Sequence, residues 1–80
     1  MPDVNDKCIA SGGDGVLCPI METVADEFRM DWRSEIDRRT YPKIVARYEE
    51  LSGRRYGGEN LHAGQTIYFS QFVKSVIEHW

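Results

Sequence analysis

Cys8, Cys18, His62 and His79 are the side chains of this sequence whose types could hold a metal, and together they could supply the four ligands of a structural zinc. Their spacing speaks against it. There is no C-x2-C and no H-x3-5-H, and the four are scattered over the whole chain, so no metal or cofactor is expected. A nucleophilic cysteine served by His62 fares no better, because neither cysteine sits in a local signature and a chain this short leaves little for a catalytic cleft.

Ser11-Gly12-Gly13-Asp14-Gly15 resembles a phosphate-cradling loop only in composition. The Walker pattern needs a following Gly-Lys-Ser/Thr, and the dinucleotide fingerprint needs its glycines at fixed offsets inside a βαβ unit. Calcium would need further acidic ligands after Asp14 and a terminal Glu, and these are missing. The carboxylate pairs Glu27/Asp31 and Asp31/Glu35 could be read as acid and base, but without an apolar pocket nothing separates their proton affinities. No enzyme is expected.

Charge is segregated along the chain, and this points to partners more than to chemistry. Residues 1–37 carry nine acids and three bases, a net of −6; residues 38–55 carry a net of +4; the whole chain stands at −3. The basic stretch, interleaved with Tyr41, Tyr48 and Tyr56, has the composition of a phosphate-contacting surface. The overall acidity opposes that use, since the acidic segment would repel the same backbone. Direct nucleic-acid binding is therefore not expected. Arg38, Arg39, Arg54 and Arg55 read instead as a secondary basic patch flanking a helix, there for intramolecular pairing or a protein partner.

The elements that must position these residues follow from periodicity. Lys7–Ala10 and Val16–Cys18 flank the glycine-rich segment and read as a hairpin, which would set Cys8 opposite Cys18 within reach of a disulfide. Pro19 suits the first turn of a helix. Met21, Val24, Ala25, Phe28, Trp32 and Ile36 then recur at offsets of three and four, so the helix is expected to run to about Asp37. On it, Glu27, Asp31 and Glu35 form a like-charged row that helix stability alone disfavours; with Asp26 and Asp37 they are the expected partner-binding residues.

A second helix is expected from a Thr40 cap, with Tyr41, Ile44, Val45, Tyr48 and Leu51 inward and Gly53 as its C′ residue. A last helix opens at Thr66 or Ser70 and buries Phe69, Phe72, Val73, Val76 and Ile77; residues 65–69 could alternatively be a short strand. The fold class is thus mainly α, a three-helix domain with an N-terminal β-hairpin, or α+β if 65–69 is a strand. The expected core adds Leu17, Val24, Phe28, Trp32 and Ile36.

Eighty residues, 41% hydrophobic and with nine aromatics, make one folded domain and exclude a disordered chain. No run approaches the roughly 20 apolar residues that span a bilayer, and the start lacks a basic then apolar leader, so a cytoplasmic protein with reduced thiols is expected. The leading functional expectation is a stoichiometric inhibitor that occupies a basic surface of a nucleic-acid-processing complex. Phage-encoded anti-CRISPR proteins and DNA mimics use that physics, and the analogy rests on size, acidity and lack of motifs. The alternatives are a small helix-turn-helix-like regulator using residues 38–55, dimeric through its last helix, and an adaptor subunit with its C-terminal aromatics in an interface.

Overall fold

The computed structural model describes residues 3–59, 61 and 64–80. Among these the chain is mainly α: helices α1 (Asp3–Ala10), α2 (Leu17–Glu27), α3 (Tyr41–Ser52) and α4 (Phe69–Glu78) surround one core, with a two-stranded antiparallel sheet of β1 (Glu35–Ile36) and β2 (Ile67–Tyr68). No helix of the described residues is long and apolar enough to cross a membrane.

The N-terminal hairpin is not formed. Residues 7–18 are the end of α1, a turn and the start of α2, because burial here follows the helical period: Val4 and Cys8 face inward while Ile9 is 52% exposed. The glycines stop α1. Gly12 has φ of +103°, its N–H donates to Ile9 O at 3.0 Å, and the Gly13 N–H donates to Cys8 O at 2.9 Å, a Schellman closure. Asp14 then opens α2, its Oδ1 accepting the N–H groups of Val16 at 2.9 Å and Leu17 at 2.7 Å. Pro19 falls in the first turn, where its missing N–H costs nothing. Cys8 and Cys18, expected within disulfide reach but as reduced thiols, are bridged, with Cα atoms 5.7 Å apart, and the bridge staples two helices and not two strands.

α2 stops at Glu27, well short of Asp37. The stop is a second Schellman closure, with Arg29 N–H on Asp26 O at 3.2 Å and Met30 N–H on Ala25 O at 2.8 Å, and its left-handed residue is Arg29 at φ +55°. Beyond it the chain turns, then enters β1, where Glu35 lies opposite Tyr68 and Ile36 opposite Ile67. Within 65–69, Ile67 and Tyr68 are strand and Phe69 already opens α4. The first N–H groups of α4, on Phe69 and Ser70, donate to Ser34 O at 2.7 Å and Trp32 O at 3.0 Å, so the loop after α2 satisfies the start of α4.

α3 is capped by Asp37 and not by Thr40: Oδ1 of Asp37 accepts the Thr40 N–H at 2.7 Å, and Thr40 itself is already helical. Gly53, at φ +72°, ends it as expected. α1 packs on α2, and α2 on α3. Leu17, Met21, Val24, Ile36, Ile44, Phe69, Phe72, Val73 and Val76 form the core with the disulfide, Val4, Ala25, Tyr41 and Tyr48. Phe28, Trp32, Val45, Leu51 and Ile77, expected inside, only pack against its edge. For Phe28 and Trp32 the reason is the early end of α2, which takes both off the helical stripe.

Candidate functional site

The like-charged row does not exist as a helical face. Glu27 is in the last turn of α2, Asp31 is in a turn and Glu35 is on β1. Each has a different fate. Glu27 makes a two-pronged ion pair with Arg47 of α3, at 2.7 and 2.8 Å, and Arg47 also bonds Glu50. The Arg47 guanidinium holds the Glu27 carboxyl below the ordinary carboxylate range, and Glu27 with Glu50 raises Arg47 further.

Asp31 shapes the turn after α2. Its Oδ1 accepts the Arg33 N–H at 2.9 Å and the Ser34 hydroxyl at 3.1 Å, and its own N–H donates to Ser34 Oγ at 2.9 Å. Asp37 is the α3 cap, and the Thr40 N–H holds its carboxyl below the usual range. Asp26 and Glu35 are exposed and have no intramolecular partner among the described residues. Of the five expected partner-binding carboxylates, three thus have structural work and two are left to solvent.

The arginines do not form one patch. Arg38 and Arg39 precede α3, and Arg54 and Arg55 follow it, so the length of the helix, roughly 18 Å for twelve residues, separates the pairs. Glu35 lies on β1, so it cannot pair with Arg39 along a helix. Arg54 lies over the Trp80 ring, 4.0 Å from its centroid, and bonds the Trp80 main-chain oxygen. The exposed face of α3 offers Pro42, Lys43, Ala46 and Glu50, with Arg47 already committed. Among the described residues no two successive helices are joined by the short turn, about three or four residues, of a helix-turn-helix. The C-terminal aromatics are likewise occupied: Phe69 and Phe72 are buried, and the Trp80 indole donates to Asp14 Oδ2 at 2.9 Å. The cysteines bond each other inside the core, which removes them from His79; His62 lies outside the described residues.

A groove that the sequence did not reveal runs beside α4, with a volume of about 460 Å³. One wall is Gln71, Ser75, Glu78 and His79; the other is the segment from Tyr56 to Glu59, with Leu61 and Ile67 adding apolar surface. Tyr56 fixes the loop wall. Its N–H donates to Glu49 Oε2 at 2.8 Å, its hydroxyl meets Ser75 Oγ at 2.9 Å and Tyr41 at 3.1 Å, and its ring lies 5.3 Å from Phe72. The Tyr41 hydroxyl reaches Glu59 O at 2.8 Å, and burial pushes the Tyr41 phenol up. Gly58 is required, since a Cβ there would strike the Tyr56 hydroxyl and Ser75 Oγ. His79 Nδ1 lies 2.8 Å from Ser75 O, and a carbonyl only accepts, so Nδ1 carries a proton. The groove carries two carboxylates, Glu59 and Glu78, and among the described residues no lysine or arginine lines it.

Compared with protein-family models, with curated proteins and with solved structures, the chain matches none.

Proposed function

We propose that this chain is a non-catalytic binding module that acts by occupying a basic surface of a protein partner. Stoichiometric inhibitors of nucleic-acid-processing complexes, including the anti-CRISPR type, act in this way. The observation that carries the reading is the division of labour among the carboxylates. Glu27, Asp31 and Asp37 cap and pair inside the molecule, while Asp26 and Glu35 stay exposed and, among the described residues, have no internal cation. Free carboxylates on a chain of net charge −3 are poised to steer and register a basic partner.

The test combines identification with competition. Affinity capture names the partner, and titration of the purified pair measures the affinity of the parent chain and of D26N/E35Q at low and physiological salt. The reading expects one-to-one binding that weakens with salt, falls about tenfold in the double variant and displaces nucleic acid from the partner. Direct binding of the isolated chain to labelled duplex or single-stranded nucleic acid with a steep salt slope would overturn it in favour of the regulator.

A further inference from the structure

We infer that the groove between α4 and the Tyr56–Glu59 segment receives an arginine side chain of the protein partner. The inference rests on the binding-module reading and adds to it the position and chemistry of one contact.

Three features of the groove converge on a guanidinium. The first is charge: Glu59 and Glu78 line it, and among the described residues neither has an ion-pair partner and no lysine or arginine lines the groove to offset them. The second is the hydrogen-bonding inventory. The carboxylates of Glu59 and Glu78 and the side-chain amide oxygens of Gln65 and Gln71, which also line the groove, supply acceptors. A guanidinium is a planar, permanently charged donor fork with no acceptor, and it can serve several acceptors at once; an ammonium is a point charge that serves fewer. The third is the apolar surface of Leu61 and Ile67, on which the methylene stem of an arginine can lie while its head meets the acceptors. A nucleic-acid phosphate is repelled by the same carboxylates.

The walls are held in place before any ligand arrives. Tyr56 is anchored by Glu49, Ser75 and Tyr41, and Gly57 packs close enough to the His79 ring that a Cβ there would lie 3.3 Å from it. Binding therefore requires little ordering of the groove, which favours affinity from a small contact.

The probe is a short capped peptide with one central arginine, titrated into the ¹⁵N-labelled full chain, with citrulline and lysine versions of the same peptide as controls. The arginine peptide should shift the amides of Gly57, Gly58, Ser75, Glu78 and His79 saturably, and bind at least about tenfold more tightly than the citrulline peptide. E59Q/E78Q should melt like the parent, because both side chains are exposed, and should weaken the peptide about tenfold. Equal binding of arginine and citrulline peptides, shifts confined to another surface, or no shift up to about 10 mM would overturn the groove assignment. The two proposals fail separately. If partner binding is lost in D26N/E35Q and unchanged in E59Q/E78Q, the module reading stands and the groove does not; if no protein partner binds, the module reading falls, and an arginine peptide that still seats as described shows only that the groove accepts a guanidinium.

Discussion

Arg54 and Trp80 lie face to face, the guanidinium 4.0 Å from the centroid of the indole ring. Because the indole N–H also reaches Asp14, this one contact ties the end of α3, the end of α4 and the turn between α1 and α2. A cation over Trp at a partly exposed site contributes roughly 0.5–1 kcal/mol. A double-mutant cycle of R54A and W80A by urea unfolding should return a coupling of that size. Strict additivity would show that the contact contributes nothing.

Gly13 carries a steric constraint from the disulfide. A Cβ built on it would lie 2.5 Å from the sulfurs of both Cys8 and Cys18 and 3.0 Å from Cys8 O. G13A should therefore destabilise the oxidised protein by about 1–3 kcal/mol, the usual cost of overpacking. In a C8A/C18A background the sulfurs are gone and the same substitution should cost clearly less. Removing the bridge alone, which closes a separation of 10 residues, should cost roughly 2–4 kcal/mol. An equal cost of G13A in both backgrounds would place the clash at the Cys8 carbonyl instead.

Phe72 and Trp32 test where the core lies. Phe72 is fully buried, with Tyr41 and Tyr48 edge-on at 5.9 and 6.3 Å, whereas Trp32 packs at the core edge, its main-chain N–H donating to Asp3 Oδ2 at 3.2 Å. F72A should cost about 3–5 kcal/mol, against a whole stability of about 4–12 kcal/mol for a chain this size. It should therefore remove a large share of the stability and lower the melting temperature far more than W32A does. W32A should still melt cooperatively, at a lower temperature than the parent. An unfolded W32A would restore it to the core.

What was legible in the sequence was what periodicity and glycine encode. The inward faces of α3 and α4, the stop at Gly53, the mainly-α class and the Cys8–Cys18 pair could all be read from residue types and spacing. The misreadings cluster where a strong signal was absent or shared. Short apolar segments around a glycine run fit a hairpin or two helix ends equally, and only Val4 and Cys8, one turn apart, favour the helix. The stop of α2 has no glycine at its left-handed position, so the apolar spacing runs unbroken through Arg29 to Ile36 and does not mark the end of the helix. The partner-binding row fell with it, since it was defined by helical phase. The groove has no local signature: its walls, Tyr56–Glu59 and Ser75–His79, meet through a tyrosine hydroxyl and a serine nineteen positions apart.

Arg29 provides a direct check on that account. A left-handed conformation is unfavourable for a residue with a Cβ and free for glycine. R29G should therefore raise stability by roughly 0.5–1 kcal/mol, read as a shift of the urea midpoint without a change in slope. A loss would mean that the Arg29 side chain holds a contact worth more than the relieved strain.

The capping carboxylates set the response to acid. Asp14 is held below the ordinary carboxylate range chiefly by the Leu17 N–H and then by the Trp80 indole, Asp37 by the Thr40 N–H, and Glu27 by Arg47. Their folded-state pKa values are depressed, so between the folded and unfolded values the folded chain binds fewer protons than the unfolded one. Stability from these groups is complete above the unfolded carboxylate values, about 4, and is lost as pH falls through the folded ones. Urea midpoints measured from pH 7 down to about 2 should thus be level at first and then fall. In D14N/D37N the side-chain oxygens can still cap, but they no longer titrate, so the fall should be shallower. Parallel acid limbs for the parent and the double variant would show that these two carboxylates carry no proton linkage and that the acid response lies with Glu27 and the remaining acids.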